Sequence, residues 1–452
     1  MHSGTLSQRN LSLFTWFRVL FTARFYYPVF SILFLDLGIT LEMFSILNLV
    51  WAASIVLLEV PSGALADVVG RKKLVVFGAS LYVVEISLLL FAPAHGGAWL
   101  FAALILNRIL SGAAEACISG ADEALAYDSL LADGREQEWP RFLERLQRFV
   151  SFGFLMALVT GGAVYDAGFL NAALSWTGLF FTPEMTLRFP LLLAACAAVG
   201  SLCCAVAMVE PPAHKKRDDE LPIGQAMTQI ARSCRWIWQQ RSLLVIILAG
   251  VAVDNVIRVH LTTYSNYMTA IGIPQAAFGV VSASLSVVTI AMAWWPRRLV
   301  TTRSAAFNFS LLCAITLVAM AGLALLLPLL GVAFLVLVRL AMMNLMFFLS
   351  HYTNQLAAPE LRATILSVRG LTLNIGYALA SLLFAGLCTW IKMDVGAGIS
   401  EQQVYEHAVK WLAPYFLMLT FVMAVCVPVI LRGDRFFYRR PAGKSAGVTV
   451  ET

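Results

Sequence analysis

Twelve long apolar runs limit what this chain can fold into more than any other feature. Each run is long enough for a helix to cross the hydrocarbon core of a bilayer, which takes about 20 residues. A membrane barrel would show alternating segments of about ten residues instead. The sequence therefore predicts an all-α membrane protein with twelve transmembrane helices. The runs are 12–35, 42–64, 74–93, 98–127, 141–164, 189–209, 242–268, 275–295, 304–327, 329–352, 363–390 and 409–431.

The composition agrees with a membrane protein and excludes an ordinary soluble domain. Of the 452 residues, 60% are hydrophobic and only 13% are charged, against about a quarter charged in soluble domains. The net charge of +6 comes from short basic loops, which indicates a lipid bilayer and no nucleic acid as partner. The eight cysteines are scattered, so we expect reduced packing residues, no metal site and no cofactor.

The basic residues also orient the predicted helices. They concentrate in every second loop, whereas the alternate loops hold little beyond Arg188, Lys392 and Lys410. The positive-inside rule then places both termini and the middle loop in the cytoplasm, with the protein in the cytoplasmic (inner) membrane. Arg18, near a helix end, is expected to snorkel. The cytoplasmic set comprises Arg71, Lys72, Lys73, Arg135, Arg141, Lys215, Lys216, Arg217, Arg232, Arg235, Arg241, Arg297, Arg298, Arg303, Arg362, Arg432, Arg435, Arg439, Arg440 and Lys444.

An internal repeat relates the two halves of the chain. Arg24, Gly38 and Phe44 each have an identical residue 234 positions later, and these counterparts are Arg258, Gly272 and Phe278. One long polar connector separates the copies. We therefore expect two pseudo-symmetric six-helix bundles around a midplane cleft, a plan typical of transporters. The expected boundaries are 1–209 for the first bundle, 210–241 for the cytoplasmic linker, and 242–452 for the second bundle with a cytoplasmic tail.

One polar turn carries a family resemblance. The stretch "GALADVVGRKK" at 63–73 lies between the second and third predicted helices and resembles the signature motif of the major facilitator superfamily (MFS). Arg108 and Gly112 are similar to that family's second motif. The chain departs at Ala157 and Leu158, where the family's drug antiporters carry Gly-Pro, and the second half lacks the signature aspartate. The resemblance implies the MFS fold and a monomeric, proton-coupled transporter.

The polar turn is interpreted as a conformational latch between the halves. Gly63 and Gly70 allow tight turning. Asp67 is expected to face the N-terminus of a neighbouring helix, where the helix dipole favours an anion. Arg71 needs a carboxylate, and Asp128 at the inner end of the fourth helix is the candidate. The alternative interpretation is a charge cluster that only sets orientation.

Ionisable residues inside the predicted spans are functional candidates, because inserting each one costs free energy. Arg108, Glu115 and Asp122 follow a seven-residue spacing, which predicts one face of the fourth helix. We assign them to proton coupling, with permanent structural ion pairing as the alternative. Asp254 and Arg258 are spaced to pair along the seventh helix. The deep set is Arg24, Glu59, Glu85, Arg108, Glu115, Asp122, Arg148, Asp254, Arg258, Arg339 and Arg369.

A substrate cavity is predicted around the arginines that the repeat relates, Arg24 and Arg258. Because a guanidinium is a good fork for a carboxylate or phosphate, we expect the two arginines to contact an anionic group of the substrate. Tyr27, Asp254 and Arg339 complete the predicted cavity. The alternative interpretation of both arginines is charge balance inside the bundles.

The leading functional prediction is a secondary active transporter that exports a small organic solute by alternating access, coupled to protons. Proton-coupled uptake of an organic anion or nutrient is one alternative, and a non-transporting receptor with the same fold is another. The sequence contains no phosphate-binding loop for ATP-driven transport. It also lacks the motifs of a membrane-embedded hydrolase, so we expect no enzyme.

Overall fold

The computed structural model describes residues 6–211, 235–357, 362–396, 398–432 and 436–439. Within them, twelve helical spans are long and apolar enough to cross a membrane. Helices are what such runs form, since a bilayer core offers the backbone no water to bond with. The prediction of an all-α protein with twelve transmembrane helices is confirmed.

Within each half of the chain the described helices follow one another with short connections. In the first half they are α1 Leu6–Thr22, α2 Phe30–Asp36, α3 Leu41–Val69, α4 Arg71–Leu90, α5 Gly97–Ile118, α6 Ala121–Ala132, α7 Trp139–Tyr165, α8 Ala167–Ala173, α9 Pro183–Thr186 and α10 Phe189–Ala207. In the second half they are α11 Arg241–Thr262, α12 Tyr264–Ala270, α13 Phe278–Ala291, α14 Trp294–Thr302, α15 Ala305–Ala324, α16 Val332–Leu356, α17 Arg362–Val395, α18 Glu401–Ala408 and α19 Leu412–Ile430.

The first and seventh spans are each broken in two, and the breaks obey the internal repeat. The first span divides into α1 and the short α2, and the seventh into α11 and the short α12. The short helices begin at Phe30 and Tyr264, again 234 positions apart. Each is followed by a glycine with positive φ, 102° at Gly38 and 78° at Gly272. The sequence repeat is therefore also a structural repeat.

The fourth predicted span is also interrupted. Helix α5 ends at Ile118, and α6 starts after Gly120, whose φ is 81°. A common face needs an unbroken helix, so Asp122 does not share a face with Arg108 and Glu115. The predicted three-residue face is wrong, because the spacing argument overlooked the glycine as a break signal.

The basic stretch near Arg297 was expected to be a loop but forms α14. Pro296 and Val300 are buried, whereas Arg297 and Arg298 are exposed. One face of this short helix therefore packs against the protein and the other carries the charges. The positive charge that is expected to orient the chain here lies on a helix.

By packing, the chain divides into two compact units. The first comprises Met1–Thr228, Val259–Ser284 and Tyr377–Ala408, and the second comprises Gln229–Arg258, Leu285–Gly376 and Val409–Thr452. Short segments of the second half therefore pack within the first unit. Most of the connector, 212–234, lies outside the described residues. The boundaries 1–209, 210–241 and 242–452 stay a prediction.

Within the first unit, both halves of the chain meet at the end opposite the Gly70 turn, which we call the far end. Ser31 of α2 and Ser265 of α12 bring their hydroxyl oxygens within 2.6 Å. The backbone N–H groups of Ser31 and Ile32 also donate to Ser265 Oγ, each over 3.1 Å. These two bonds occupy both lone pairs of Ser265, so its own hydrogen is donated to Ser31. Each serine thus contacts its own repeat counterpart.

An ion cluster also lies at the far end. Lys392 Nζ is 2.9 Å from Glu42 Oε2 and 2.6 Å from Glu401 Oε1. The second oxygen of Glu401 accepts from the backbone N–H of Leu41 over 2.8 Å. A carboxylate is favourable there because Leu41 begins α3. The cluster ties α3, α17 and α18 together.

Helix α7 approaches the break in the first span very closely. A Cβ atom on Gly161 would stand 1.7 Å from the carbonyl oxygen of Phe25, and one on Gly162 would stand 2.8 Å from the backbone nitrogen of Gly279. Any larger side chain at either position would force the helices apart. Ala157 and Leu158, which replace the antiporter Gly-Pro, are buried on the same helix.

Candidate functional site

Arg24 lies in the break between α1 and α2 and is fully engaged there. Its Nη1 donates to Glu85 Oε1 of α4 over 2.8 Å, and its guanidinium carbon stands 3.9 Å from the ring centroid of Tyr82. Asn107 of α5 donates to the other oxygen of Glu85 over 2.7 Å. All four side chains are buried. These contacts favour charge balance, and the predicted contact of Arg24 with substrate stays a prediction.

Arg258, the repeat counterpart of Arg24, also has a carboxylate partner. It lies 2.6 Å from Asp254 on the same helix, as their spacing predicts. Its Nη1 donates to Asn374 Oδ1 of α17 over 2.8 Å. The two arginines are therefore neutralised by different means, Arg24 by another helix and Arg258 by its own.

Asp122 is part of a buried ion pair. It lies in the first turn of α6, buried, and Arg18 of α1 reaches it over 2.9 Å. The expectation that Arg18 snorkels is wrong, because a buried carboxylate stands within its reach. The pair matches the structural alternative for Asp122, and its predicted part in proton coupling stays a prediction.

Arg148 is an exposed residue of α7. Its side chain is 76% exposed and pairs with Glu144, one turn earlier on α7. The charged first turns of this helix, with Arg141 and Arg145, are exposed as well. The described structure thus gives Arg148 an exposed partner on its own helix, and its depth in the membrane stays a prediction.

Arg108 of α5 is buried with no carboxylate partner in the described part of the chain. Only 5% of the residue is exposed, and its Nε and Nη2 have no hydrogen-bond partner. Its guanidinium carbon lies 4.8 Å from the ring centroid of Phe34 and 5.2 Å from that of Phe30. Aromatic faces attract a cation but leave its N–H groups unbonded. The Nε and Nη2 groups of Arg108 are thus hydrogen-bond donors without an acceptor in the described structure.

Glu115 lies two turns further along α5 and is an acidic residue without a basic partner in the described residues. Its side chain is exposed, and it makes no ion pair or side-chain hydrogen bond within the described residues. Tyr27, itself 45% exposed, interacts electrostatically with both Glu115 and Arg108. We call Arg108, Glu115 and Tyr27, with the walls Phe30 and Phe34, the two-charge face.

The polar turn docks on its own half of the chain. Gly70, with φ 104°, separates α3 from α4. Arg71 Nη1 pairs with Asp128 of α6, the carboxylate expected from the sequence. The backbone N–H groups of Arg71 and Lys72 donate to Glu210 over 3.1 and 2.8 Å. This carboxylate at the N-terminus of α4 was missed, because it lies far away in the sequence, just after α10.

The latch between halves stays a prediction. Gly63 and Asp67 belong to α3, but the placement of their side chains lies outside the described residues, as do residues 358–361 before α17. The described partners of the turn join helices of the first half only. Arg339, predicted for the substrate cavity, is half-buried on α16 in the second unit, and its role also stays a prediction.

Comparison with known proteins agrees with the fold. The model of the Major Facilitator Superfamily matches residues 13–381. The quinolone resistance protein NorA of Staphylococcus aureus (strain MRSA252) is 22% identical over 223 residues, 49% of this chain and 50% of that protein. The chain thus matches about half the length of this curated relative.

Solved structures of transporters share the architecture. A mutant of the nucleoside transporter NupG superposes with a TM-score of 0.72 at 12% identity, covering 93% of this chain and 99% of that one. A bacterial homolog of the human lysosomal transporter Spinster, inward-facing and unoccupied, gives 0.65 at 15% identity, covering 98% and 100%. Twelve spans, the fold and the family match agree on a multi-pass membrane transporter, and the chain belongs to the Major Facilitator Superfamily.

Proposed function

We propose that this protein exports an amphipathic organic solute from the cytoplasm in exchange for protons, and that Glu115 carries the proton. The observation behind this proposal is an exposed glutamate inside a membrane span with no arginine partner in the described residues. A free carboxylate can gain and lose a proton without breaking an ion pair, so its protonation follows the access of water.

The other deep carboxylates are less suited to this role. Glu85, Asp122 and Asp254 each pair with an arginine, and removing charge from a buried pair leaves the partner uncompensated. Glu59, half-buried on α3, is not part of the two-charge face. Only Glu115 stands on one helical face with the unpaired Arg108.

A cavity between α1 and α7 supports an amphipathic solute. It has a volume of about 950 Å³, within the range of roughly 300–1,000 Å³ that suits small ligands. Trp16, Phe149 and Phe152 give it apolar walls, while Arg141 and Arg145 give it positive charge. Export is favoured over uptake by the similarity to NorA, whose name refers to quinolone resistance.

The proposal also includes an orientation of the chain in the membrane. The basic loops support a protein in the cytoplasmic membrane with both termini and the Gly70 turn on the cytoplasmic side. The far end, with Ser31, Ser265 and Lys392, then faces outward. For a solute to leave the cell, these far-end contacts must open during each transport cycle.

The test is transport of a panel of labelled organic compounds into proteoliposomes, with and without a pH gradient. We expect gradient-driven accumulation of an amphipathic member by the wild-type protein. Glu115→Gln should abolish that accumulation but retain exchange of solute for solute at saturating concentration, since exchange moves no proton. Glu123→Gln, which alters an exposed glutamate on α6, is the matched control and should behave as wild type.

Direction is read from inside-out membrane vesicles. An exporter coupled to protons accumulates solute in them when the lumen is acid. Proton-coupled uptake of an organic anion, the second candidate, is favoured by the unpaired Arg108 and requires the opposite gradient. Gradient-driven accumulation by Glu115→Gln at the wild-type rate would remove Glu115 from the coupling mechanism.

A further inference from the structure

We infer that the second unit binds the phosphate group of an anionic phospholipid on the exposed face of α14. This site is separate from the transported solute and from the direction of transport. Helix α14 forms the last part of the eighth span, Gln275–Thr302. The stretch 275–296 contains no charged residue and is about as long as a bilayer crossing requires. The arginines that follow it therefore stand at the level of the lipid headgroups.

The exposed face of α14 combines tryptophan with arginine. Residues four positions apart are neighbours on a helix surface, so Trp294 stands next to Arg298, and Trp295 stands next to Leu299. Trp294 is 55% exposed, and Arg298 is exposed beside it. Tryptophan rings concentrate where a membrane meets water, because one part of the ring is apolar and its N–H is polar. The pairing of ring and guanidinium is typical of a helix that lies at the membrane surface.

A cavity of about 400 Å³ lies on this face, within the range of roughly 300–1,000 Å³ that suits small ligands. Two arginines supply its positive charge, and neither Arg298 nor Arg303 is part of an ion pair within the described residues. Arg303 instead lies over the ring of Phe307, 5.0 Å from its centroid. Both guanidinium groups therefore remain available to a phosphate. The cavity is lined by Trp294, Trp295, Arg298, Leu299, Thr302 and Arg303.

The repeat shows that this charge is not matched in the way that the first half matches its own. In the first half, Arg71 pairs with Asp128. The position of Asp67 corresponds, 234 residues later, to Thr301, and no aspartate or glutamate occurs anywhere in 255–359. The positive charge of α14 therefore lacks a nearby acidic residue in the sequence, and an anion from outside the chain can supply it.

A second segment brings aromatic and basic side chains to the same place. The backbone N–H of Ala306, at the start of α15, donates to the carbonyl oxygen of Phe437 over 2.9 Å. The rings of Phe309 and Phe437 are stacked, with centroids 6.2 Å apart. Tyr438 and Arg439, which follow, are exposed. This part of the tail thus lies close to the end of α14 and adds the same two residue types, which favours a membrane surface as the partner.

A phospholipid fits this face better than a soluble anion does. Its phosphate offers the paired oxygen acceptors that a guanidinium binds best, and so can engage Arg298 and Arg303. Its acyl chains remain in the bilayer, where the span that leads to Trp294 ends. A free phosphate would satisfy the arginines but would leave the exposed tryptophan ring in contact with water.

The test is lipid binding to the purified full-length protein in detergent, with native mass spectrometry to count the bound lipids. The probes are dioleoyl phosphatidylglycerol, which is anionic, and dioleoyl phosphatidylcholine, which has the same chains and no net charge. We expect phosphatidylglycerol to bind roughly tenfold more tightly than phosphatidylcholine, because only the anionic lipid gains from the basic face. Equal affinity for the two lipids would overturn the inference.

Three single variants separate a built site from diffuse attraction. Arg298→Gln and Arg303→Gln should each lower the affinity for phosphatidylglycerol about fivefold, or about 1 kcal/mol. Arg297→Gln is the matched control, since it removes the same charge from the same helix but from a side chain that does not line the cavity. It should change the affinity less than about twofold. All three arginines are exposed, so none of these changes removes a packed group.

Two further outcomes decide between sources of the anion. Inorganic phosphate in large excess, at constant ionic strength, should not displace phosphatidylglycerol, because it makes no use of the apolar part of the face. Displacement by phosphate would assign the face to a soluble anion and overturn the inference. An equal loss of affinity in Arg297→Gln and Arg298→Gln would also overturn it, because the attraction would then belong to the net charge of the helix and not to a site.

Discussion

Asn107 and Arg108 are adjacent on α5, yet they belong to two regions that treat charge in opposite ways. Around Asn107, Glu85 receives Arg24 on one oxygen and the amide on the other. Around Arg108, the guanidinium meets aromatic faces, and Glu115 meets no partner in the described residues. Charged groups that have protein partners hold helices together, whereas charged groups without protein partners are kept where a ligand supplies the missing partner. The partner of an ionisable residue in a membrane span therefore indicates whether the residue has a structural or a ligand-binding role.

The largest effect is expected from opening the closed region. Glu85→Gln leaves Arg24 buried without a counterion, so stability should fall by about 3–5 kcal/mol. Thermal melting in detergent measures this loss. Replacing Arg24 and Glu85 together by leucine should recover part of it, because no unpaired charge remains. An unchanged melting temperature in Glu85→Gln would show that the pair does not hold the fold.

A smaller loss is expected from the repeat-related pair. Asp254→Asn leaves Arg258 with its bond to Asn374 and with partial exposure of its side chain. Removing a hydrogen-bonded partner of this kind costs about 1–3 kcal/mol. The same melting experiment checks the order of the two variants. If Asp254→Asn melts below Glu85→Gln, the second half depends more on its local pair than the contacts indicate.

The open region is tested by arginine-to-lysine variants, which keep the charge and lose the fork. Arg108→Lys should weaken binding of the transported organic solute about tenfold, or about 1.4 kcal/mol. Arg24→Lys and Arg258→Lys should change it less than about twofold, since their carboxylates hold them away from the solute. The reverse order in a binding titration would return the substrate contact to the two repeat-related arginines, as the sequence predicts.

The smallest effect on stability is expected at the polar turn. The pair of Arg71 and Asp128 is about one-third exposed, and such pairs contribute about 1 kcal/mol or less. Arg71→Ala and Asp67→Asn should therefore insert and melt normally but transport more slowly, if the turn is a latch. Turnover at the wild-type rate, with equal protein levels, would leave the turn with orientation as its only role.

Most of what the sequence predicted correctly depends on neighbours within one helix; the pairing of Arg71 with Asp128, 57 residues away, was expected because Asp128 ends the fourth predicted helix on the same side as the polar turn. The twelve spans follow from runs of apolar residues, and the pairing of Asp254 with Arg258 follows from one turn of α11. The partners of Arg24 and Arg18 lie 61 and 104 residues away, and no periodicity relates them. The helix break at Gly120 interrupts the helical periodicity that would have placed Asp122 on the same face as Arg108 and Glu115. The ion-pair partner of each buried charge and the periodicity of its helix together decide which charged residues lack a partner in the protein.

Where a symmetry axis passes through a protein, a residue meets its own copy, so its side chain must be compatible with itself. Two lysines or two aspartates in the places of Ser31 and Ser265 would repel, whereas a hydroxyl donates and accepts at once. A half-length chain that assembled as a symmetric pair would close this end with a single serine. In this chain the two serines belong to different halves, so they are free to make different bonds. Ser265 caps the backbone of α2, and among the described bonds Ser31 gives no such cap to α12.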